Sequence, residues 1–279
     1  MFRAALCVAV LMAGGPELFP AAAPASAGQP AAPTTHAEQL EFLRRARIVA
    51  AKPIGRGVTR PWRLTLSNGT FTHDAAFNSV DERNTERDFR DGRKRAGELR
   101  FVDSWKYNVA AYRIAGLLGI EDMMPPTVQR AWNGRFGSLS WWVDDVLMDE
   151  AEREEKGITP PDVRPWYEAR QRMVVFAALL YDMDRNKGNV LYTRDWRVIM
   201  IDFTRAFRLE RELRRPDMLD RVDRRLYERI EQLARADVER ETRDYLTPIE
   251  ITALFARRDA MVAHFRTLIE TRGANVVFY

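Results

Sequence analysis

Short stretches in the first half of the chain alternate polar and apolar residues, which is the period of a β-strand. Arg63 to Ser67 shows this alternation, and Asn68-Gly69 directly after it is a strong signal for a two-residue hairpin. We therefore expect the partner strand at Thr70 to Asn78. Four more strands are predicted, at Thr127–Trp132 and Ser138–Val143, joined by Asn133-Gly134, and at Val190–Thr193 and Val198–Phe203.

Other stretches space their apolar residues three and four positions apart, as amphipathic helices do. Asp103 to Leu118 is one of them: Asp103 or Ser104 can cap its start, and Gly119 can end it. Glu82 to Gly97 is polar and is predicted to be a loop. Further helices are predicted at His36–Ala51, Glu150–Lys156, Trp166–Tyr181 and from Leu209 onward.

The order of these elements predicts the fold class. Strands dominate the first part of the chain and helices the second, which is the pattern of an α+β protein with a cleft between its two parts. The chain has 279 residues, of which 46% are hydrophobic. This is enough for one two-lobed domain with its own core.

The candidate chemistry lies in a polar segment between the predicted helix at 166–181 and the strand at 190–193. Asp184 is followed five positions later by Asn189, and Asp202 comes at the end of the next strand. A phosphoryl-transfer site needs one carboxylate that orients the acceptor and takes its proton. It also needs oxygen ligands that hold Mg²⁺ against the ATP phosphates. The three residues have the right chemistry and spacing for these roles, and Arg185 can pair with a nearby carboxylate.

Two other interpretations of this segment stay open. Asp and Asn are common in turns, so each residue alone could be an ordinary turn residue. The alternation of Asp182, Asp184 and Asn186 also resembles the start of a calcium-binding loop. The glycine of such a loop is displaced here, and no Glu stands at its end.

Leu180 to Phe207, with Asp184-Arg185-Asn186-x-Gly-Asn189 and the run Ile201-Asp202-Phe203-Thr204-Arg205-Ala206-Phe207, resembles the atypical kinases. That group includes HipA-like, phosphatidylinositol-3/4-kinase-like and secretory-pathway kinases. The resemblance implies a strand-rich lobe over residues 39–145 and a mainly helical lobe over 146–279. It implies ATP with Mg²⁺ or Mn²⁺ as cofactors. It further implies Asp184 as catalytic base with Arg185 beside it, and Asn189 and Asp202 as metal ligands.

The nucleotide side of the predicted site departs from this family. Such kinases use a strand Lys that grips the ATP phosphates and pairs with a Glu on the next helix. Asn78 and Asn108 stand at the matching positions, although Glu98 or Lys106 could still enter the site. The run from Ile54 to Pro61 predicts a glycine loop, and Arg56, Arg60 or Arg63 could supply a substitute cation. We therefore assign six residues to nucleotide binding: Gly55, Gly57, Arg60, Arg63, Asn78 and Asn108.

Charge and the N-terminus limit the partners and the location. The net charge is +4 without a long basic run, so we expect an anionic ligand such as a nucleotide and no nucleic acid. Arg3, the apolar run Ala4 to Ala13 and Ala25-Ser26-Ala27 predict a secretory signal over residues 1–27, followed by a linker over 28–38. We thus expect an extracytoplasmic protein. Cys7 is the only cysteine, so the mature chain has no disulfide, and no transmembrane segment is expected.

Three functions remain compatible with these patterns. The first is an active phosphotransferase that moves the γ-phosphate of ATP to the hydroxyl of a protein, a lipid or a small molecule. The second is a pseudokinase that binds nucleotide or a protein partner, because the positions of the Lys and the Glu hold Asn78 and Asn108. The third is an unrelated extracytoplasmic interaction protein.

Overall fold

The computed structural model describes residues 32–55, 61–91 and 94–279, with side chains described outside 84–100. The predicted signal segment, Arg56, Gly57 and Arg60 lie outside these residues. The described strands are Arg47–Pro53 (β1), Trp62–Ser67 (β2), Thr72–Asn78 (β3), Asp81–Asp91 (β4), Lys94–Ser104 (β5), Thr127–Trp132 (β6), Arg135–Trp141 (β7), Val146–Asp149 (β8), Val190–Thr193 (β9) and Val198–Met200 (β10). The described helices are His36–Arg45 (α1), Trp105–Leu118 (α2), Glu150–Glu155 (α3), Val163–Leu180 (α4), Arg224–Gln232 (α5), Arg235–Thr242 (α6), Pro248–Arg272 (α7) and Ala274–Val277 (α8).

The N-terminal part is an antiparallel sheet of five strands in the order β1-β2-β3-β7-β6. Alternate side chains on its strands point to opposite faces. One face packs against α1, and buried apolar residues from β2, β3, β6 and β7 meet Phe42 and Leu43 of that helix there. The opposite face carries Arg63, Thr65 and Asp74, whose side chains contact one another. The sheet therefore has one apolar face and one polar face.

The hairpin β6–β7 is confirmed at the predicted place. Asn133 and Gly134 both have positive φ, 50° and 72°, as the two central residues of a tight turn between antiparallel strands require. The β2–β3 hairpin is also present, but Ser67 pairs with Thr72, so the connection is residues 68–71 rather than Asn68-Gly69 alone. The reason is the Asn68 side chain, whose Oδ1 accepts hydrogen bonds from backbone amides of the connection at 2.8 and 3.1 Å.

Three predicted elements were wrong. The predicted helix at 36–51 ends at Arg45, and the chain continues as the edge strand β1. The predicted loop at 82–97 lies in the two-stranded ribbon β4–β5. The predicted continuous helix from Leu209 begins only at Arg224. Residues 209–223 are irregular apart from one short 3₁₀ turn and a single β-bridge from Val222 to Phe278.

The C-terminal part is mainly helical, with a small sheet of β10, β9 and β8. The α+β class with strands first and helices later is confirmed. The capping box at the start of α7 satisfies its first turn, since Thr247 and Glu250 exchange hydrogen bonds. No helix in the described ranges is long and apolar enough to cross a membrane.

Helix α2 joins the two parts of the molecule. It packs against β6 and β7 on one side and against α5 and α6 on the other. Its Tyr107 donates a hydrogen bond to Glu250 of α7, and Arg113 donates to the carbonyl of Glu241 at 2.7 Å. Burial and the adjacent Glu250 carboxylate strongly raise the pKa of Tyr107, which keeps it a neutral donor. The position of α2 is therefore fixed by side chains from the helical part.

A buried ion cluster stabilises the small sheet and α4. Glu150 is 3% exposed and accepts hydrogen bonds from Arg153, Arg170 and Tyr192 at 2.5 to 3.2 Å. Burial alone would raise the pKa of Glu150, but these hydrogen bonds outweigh it and lower the pKa to about 2. The charged form of Glu150 is therefore the one that the folded protein stabilises.

We expect the Glu150→Gln variant to lose about 2 kcal/mol of unfolding free energy at pH 7, because charge-assisted hydrogen bonds become neutral ones. The folded pKa of about 2 lies below the ordinary value of 4.5, so this contribution is present above pH 4.5 and is lost as the pH falls towards 2. Urea unfolding at pH 7 and pH 3 measures this, with Glu155→Gln, at an exposed position of the same helix, as control. A difference between wild type and Glu150→Gln that is the same at both pH values would contradict it.

Candidate active site

The candidate catalytic loop begins where α4 ends. Tyr181 ends that helix with a left-handed conformation, φ 50°, and turns the chain towards the polar segment. Asp182 follows and is buried, with its Oδ1 accepting the backbone amide of Asp184 at 3.0 Å. Its Oδ2 pairs with Arg185 at 2.6 Å. Asp182 is thus used to shape the loop, which argues against the calcium-loop interpretation.

Arg185 holds the two halves of the site together. It donates to the carbonyls of Asn189 and Ile201 at 2.9 and 2.6 Å, and to the carbonyl of Asp202 at 3.3 Å. Its guanidinium also lies 4.1 Å from the ring centre of Phe203. The sequence predicted Arg185 beside the catalytic base. The structure gives it the contacts of a positioning residue, because its donors are engaged by the Asp182 carboxylate and by three backbone carbonyls.

Asp184 and Asn189 are in contact. The side-chain Nδ2 of Asn189 donates to the carbonyl of Asp184 at 2.8 Å, which fixes the direction of the amide. Its Oδ1 then points elsewhere and accepts no hydrogen bond from another described residue. The Asp184 carboxylate is 39% exposed, lies 3.9 Å from Arg205, and accepts a hydrogen bond from the side-chain Nδ2 of Asn186 at 3.1 Å. An incoming hydroxyl can therefore reach it.

Asp202 lies directly after β10 in a left-handed conformation, with φ 55°. A non-glycine residue in this region is uncommon and is often found at functional sites. Its Oδ1 accepts hydrogen bonds from the hydroxyl and the amide of Thr204 at 2.8 and 3.3 Å. Burial raises the pKa of Asp202, against those hydrogen bonds, which lower it. Oδ2 makes no hydrogen bond to another described residue.

The two predicted amide replacements are both engaged by the protein. Asn108 accepts the backbone amide of Phe203 at 2.6 Å and donates to Ser138 at 3.1 Å. It thereby links α2 to β7 and to the residue after Asp202. Asn78, at the end of β3, accepts the amide of Val80 at 3.0 Å. These contacts place Asn108 beside the segment of Asp202. Asn108 is neutral, so it brings no charge to the site.

The other predicted nucleotide residues lie on the sheet. Gly55 is exposed after β1, and a hydrogen bond of 2.8 Å from Ile54 to Pro61 closes the loop to which it belongs. Arg63 pairs with Asp74 and lies 4.1 Å from the ring centre of Trp142. Among the described residues it makes no ion pair with the carboxylates of the catalytic loop. Lys106, the other cation considered, pairs with Asp81 at 3.5 Å.

Asp103 is a buried carboxylate near Asp202 that the sequence did not indicate as part of the candidate site. It was expected only as a cap for α2, but Ser104 occupies the cap position and makes no capping hydrogen bond. Asp103 is 7% exposed, and its Oδ1 has no hydrogen-bond partner among the described residues. It lies near Asp202, Thr204 and Arg205. An acidic residue directly before a helix is typical of helix caps, so the sequence pattern indicated a capping role for Asp103 and no role in the candidate site.

These side chains fit a divalent cation bound together with nucleotide. In ATP-using enzymes Mg²⁺ is held by one or two carboxylates and by the substrate phosphates. Asp202 Oδ2 and Asn189 Oδ1 are unengaged oxygen atoms of that type, on two segments joined by Arg185. The described residues contain no group of three or more His, Cys, Asp or Glu side chains with the geometry of a metal site.

Solved structures share this arrangement of lobes. A hydra Fam20 structure with sugar matches at a TM-score of 0.65 and 15% identity, over 87% of this chain and 91% of that one. A Golgi casein kinase with Mn/ADP bound matches at 0.59 and 12% identity, over 87% and 78%. The Helicobacter pylori proinflammatory kinase CtkA matches at 0.53 and 11% identity, over 82% and 98%. The chain has an atypical kinase-like fold. No protein-family model and no curated protein matches it.

In this kinase-like fold the polar loop after α4 and the end of β10 lie in the C-terminal, mainly helical part. Gly55 follows β1, a strand of the sheet in the other part. The predicted residues therefore come from both parts. The hydrogen bonds of Asn108 join α2 to both of them, since Ser138 is on the sheet and Phe203 follows Asp202.

The end of β3 in the kinase-like fold depends on a glycine opposite it. A Cβ atom on Gly137 would lie 2.5 Å from the carbonyl oxygen of Asn78 and 2.6 Å from the Phe77 ring. We expect Gly137→Ala to destabilise the protein by about 1–3 kcal/mol, since backbone has to shift. Gly116→Ala, in α2 with no atom near the added carbon, should instead stabilise by about 0.5–1 kcal/mol. Urea unfolding of both variants tests this, and equal effects would contradict it.

Proposed function

We propose that this protein is a phosphotransferase that moves the γ-phosphate of ATP to an acceptor hydroxyl, with Mg²⁺ or Mn²⁺. The observation that carries the proposal is the joining of Asp184, Asn189 and Asp202. Asn189 is bonded to the Asp184 carbonyl, and Arg185 links the segment of Asn189 to that of Asp202. Similarity to a Golgi casein kinase with Mn/ADP bound supports the choice of ligands.

In the proposed reaction the acceptor hydroxyl approaches the exposed Asp184 carboxylate and gives up its proton to it. The hydroxyl oxygen forms a bond to the γ-phosphorus, and the bond from that phosphorus to the bridging oxygen breaks, which releases ADP. A divalent cation held by Asp202 and Asn189 would neutralise phosphate charge. Arg185 keeps the two segments in register, and Arg205 lies 3.9 Å from Asp184 as the adjacent cation.

Transfer of label from γ-labelled ATP tests the proposal. The purified chain is incubated with Mn²⁺ or Mg²⁺ and either itself or a generic protein as acceptor. We expect metal-dependent labelling that Asp202→Asn abolishes and that the exposed control Asp195→Asn retains. Absence of labelling, together with absence of any rise in the unfolding midpoint with ATP and metal, would overturn the proposal.

The second candidate function is that of a pseudokinase, which would bind nucleotide or a protein partner without transferring phosphate. The contacts of Asn108 favour this candidate. Both polar ends of this side chain are used by the protein, and no charge stands where related kinases have the Glu. Removal of one electrostatic contact to a transition state can lower a rate by about 10²–10³. A metal-dependent rise in the midpoint with ATP, without labelling of any acceptor, would favour this candidate.

We further propose that the protein acts outside the cytoplasm, on the basis of the N-terminal segment over residues 1–27. Residues 1–36 can be fused to a reporter that is active only after export. Activity of the reporter would support the location, and an inactive fusion that accumulates in the cytoplasm would overturn it.

A further inference from the structure

A second carboxylate faces the segment of Asp202. Asp103 ends β5, and the next residue, Ser104, donates its backbone amide to the carbonyl of Thr204 at 2.8 Å. This bond places the start of α2 directly beside the segment that follows Asp202. The Thr204 side chain lies against both Asp103 and Asp202. The two carboxylates are therefore neighbours on separate chain segments.

The Asp103 carboxylate is buried without sufficient partners. Only 7% of the residue is exposed, and Oδ1 accepts no hydrogen bond from a described residue. The Thr204 hydroxyl has a single hydrogen, which it donates to Asp202 at 2.8 Å. A buried polar atom without a partner destabilises the folded state, and a buried charge does so more strongly. The arrangement is understandable if a ligand supplies the missing interaction.

The charges around Asp103 point to a cation as that ligand. Asp202 and Glu82 lie near it and repel its charged form, while Arg205 is the adjacent cation. Arg205 also faces Asp184 at 3.9 Å, so its charge is shared between carboxylates. A divalent cation between Asp103 and Asp202 would balance both.

We propose that Asp103 is a ligand of the divalent cation, together with Asp202 and Asn189. The inference rests on the proposed function, since the cation is the one that accompanies ATP. It also accounts for Asn108: the amide has replaced a charge on α2, and Asp103, at the start of the same helix, brings a carboxylate to the Asp202 segment. Hard oxygen ligands of this kind suit Mg²⁺ and Mn²⁺.

Mn²⁺ binding tests the inference without a need for catalysis. Free Mn²⁺ is measured by electron paramagnetic resonance in titrations of the purified chain, saturated with a non-hydrolysable ATP analogue. We expect Asp103→Asn to weaken Mn²⁺ binding at least tenfold. Without metal, its unfolding midpoint should equal or exceed that of wild type, because a repelled buried charge is removed. The exposed Asp195→Asn should leave both quantities unchanged.

Ser104→Ala controls for disturbance of the local structure, since it removes the hydrogen bond of 2.8 Å from Ser104 to Asp81 and leaves the carboxylate. An equal loss of Mn²⁺ affinity in this variant would overturn the inference. Wild-type affinity in Asp103→Asn, with loss in Asp202→Asn, would also overturn it while the proposed function stands. No Mn²⁺ binding by the wild-type chain with the analogue would reject the proposed function and the inference together.

Discussion

Asp184→Asn should lower the rate of phosphate transfer by about 10²–10⁴, the range that a positioned general base contributes. The amide has the size of the carboxylate but does not accept the proton of the acceptor. The contact of Asn189 with residue 184 goes to the backbone carbonyl, so the loop should keep its shape. The rise in unfolding midpoint with ATP and Mn²⁺ should therefore remain close to that of wild type. Initial rates with γ-labelled ATP and thermal unfolding measure the two effects.

Two comparison variants define what the Asp184 result means. Asp202→Asn should lose both transfer and the nucleotide-dependent rise, because its carboxylate is assigned to the metal. Asp195→Asn changes an exposed turn carboxylate and should lose neither. If Asp184→Asn kept more than half of the wild-type rate, Asp184 would not be the base and the proposed roles would have to be reassigned.

The sequence predicted correctly those secondary-structure elements whose conformation is determined by residues adjacent in the chain. The hairpin at Asn133-Gly134 was predicted correctly because a two-residue turn needs positive φ only at its two central residues, and both residues have positive φ. The ribbon β4–β5 was missed because residues 82–95 are polar apart from Phe89 and Gly92, so no apolar period marks a buried face. The end of α1 at Arg45 was missed because no Gly or Pro follows it; the chain turns at Ala46, and β1 then pairs with β2.

The sequence predicted only those residues of the candidate site that lie close to one another in the chain. Asp184, Asn189 and Asp202 are close in sequence, and a helix, a loop and two short strands bring them together. Asp103 is about 100 positions away from Asp202, and its place depends on the contact between Ser104 and Thr204. No local pattern encodes such a contact. Asn108 was found through its expected position, but its bonds to Phe203 and Ser138 required the structure.

In the proposed correspondence with atypical kinases, Asn78 and Asn108 stand at the positions of the Lys and the Glu, and the fold can persist because both charges are absent together. Loss of one partner of a buried ion pair would leave an uncompensated charge at a cost of about 3–5 kcal/mol. Here both positions hold neutral amides, and Asn108 satisfies its own polar atoms within the protein. Because one positive and one negative charge are absent together, the net charge of the site is the same as with the ion pair, and the carboxylates of Asp184 and Asp202 remain.

Arg185→Met should be the most destabilising of the substitutions considered, with a loss of about 3–5 kcal/mol of unfolding free energy. It leaves the fully buried Asp182 carboxylate without its ion pair. It also removes the side-chain donors to the carbonyls of Asn189 and Ile201, so the candidate catalytic loop and the segment after β10 are held together less firmly, by backbone hydrogen bonds such as that from Ile201 to Asn189 at 3.1 Å. Urea unfolding gives the free energy, and transfer activity should fall even where the variant is folded.

A matched pair of variants separates the buried charge from other effects of the substitution. Arg197→Met removes an arginine that is 56% exposed and pairs with Asp195 and Asp145, and it should cost no more than about 1 kcal/mol. The double variant Asp182→Asn/Arg185→Met also removes the Asp182 charge, which Arg185→Met alone leaves without its ion pair. Its loss of unfolding free energy should therefore be smaller than the sum of the losses of the two single variants. Additive losses would contradict the coupling, because they would mean that Asp182 and Arg185 contribute to the loop independently. The 2.6 Å contact between them argues against that independence.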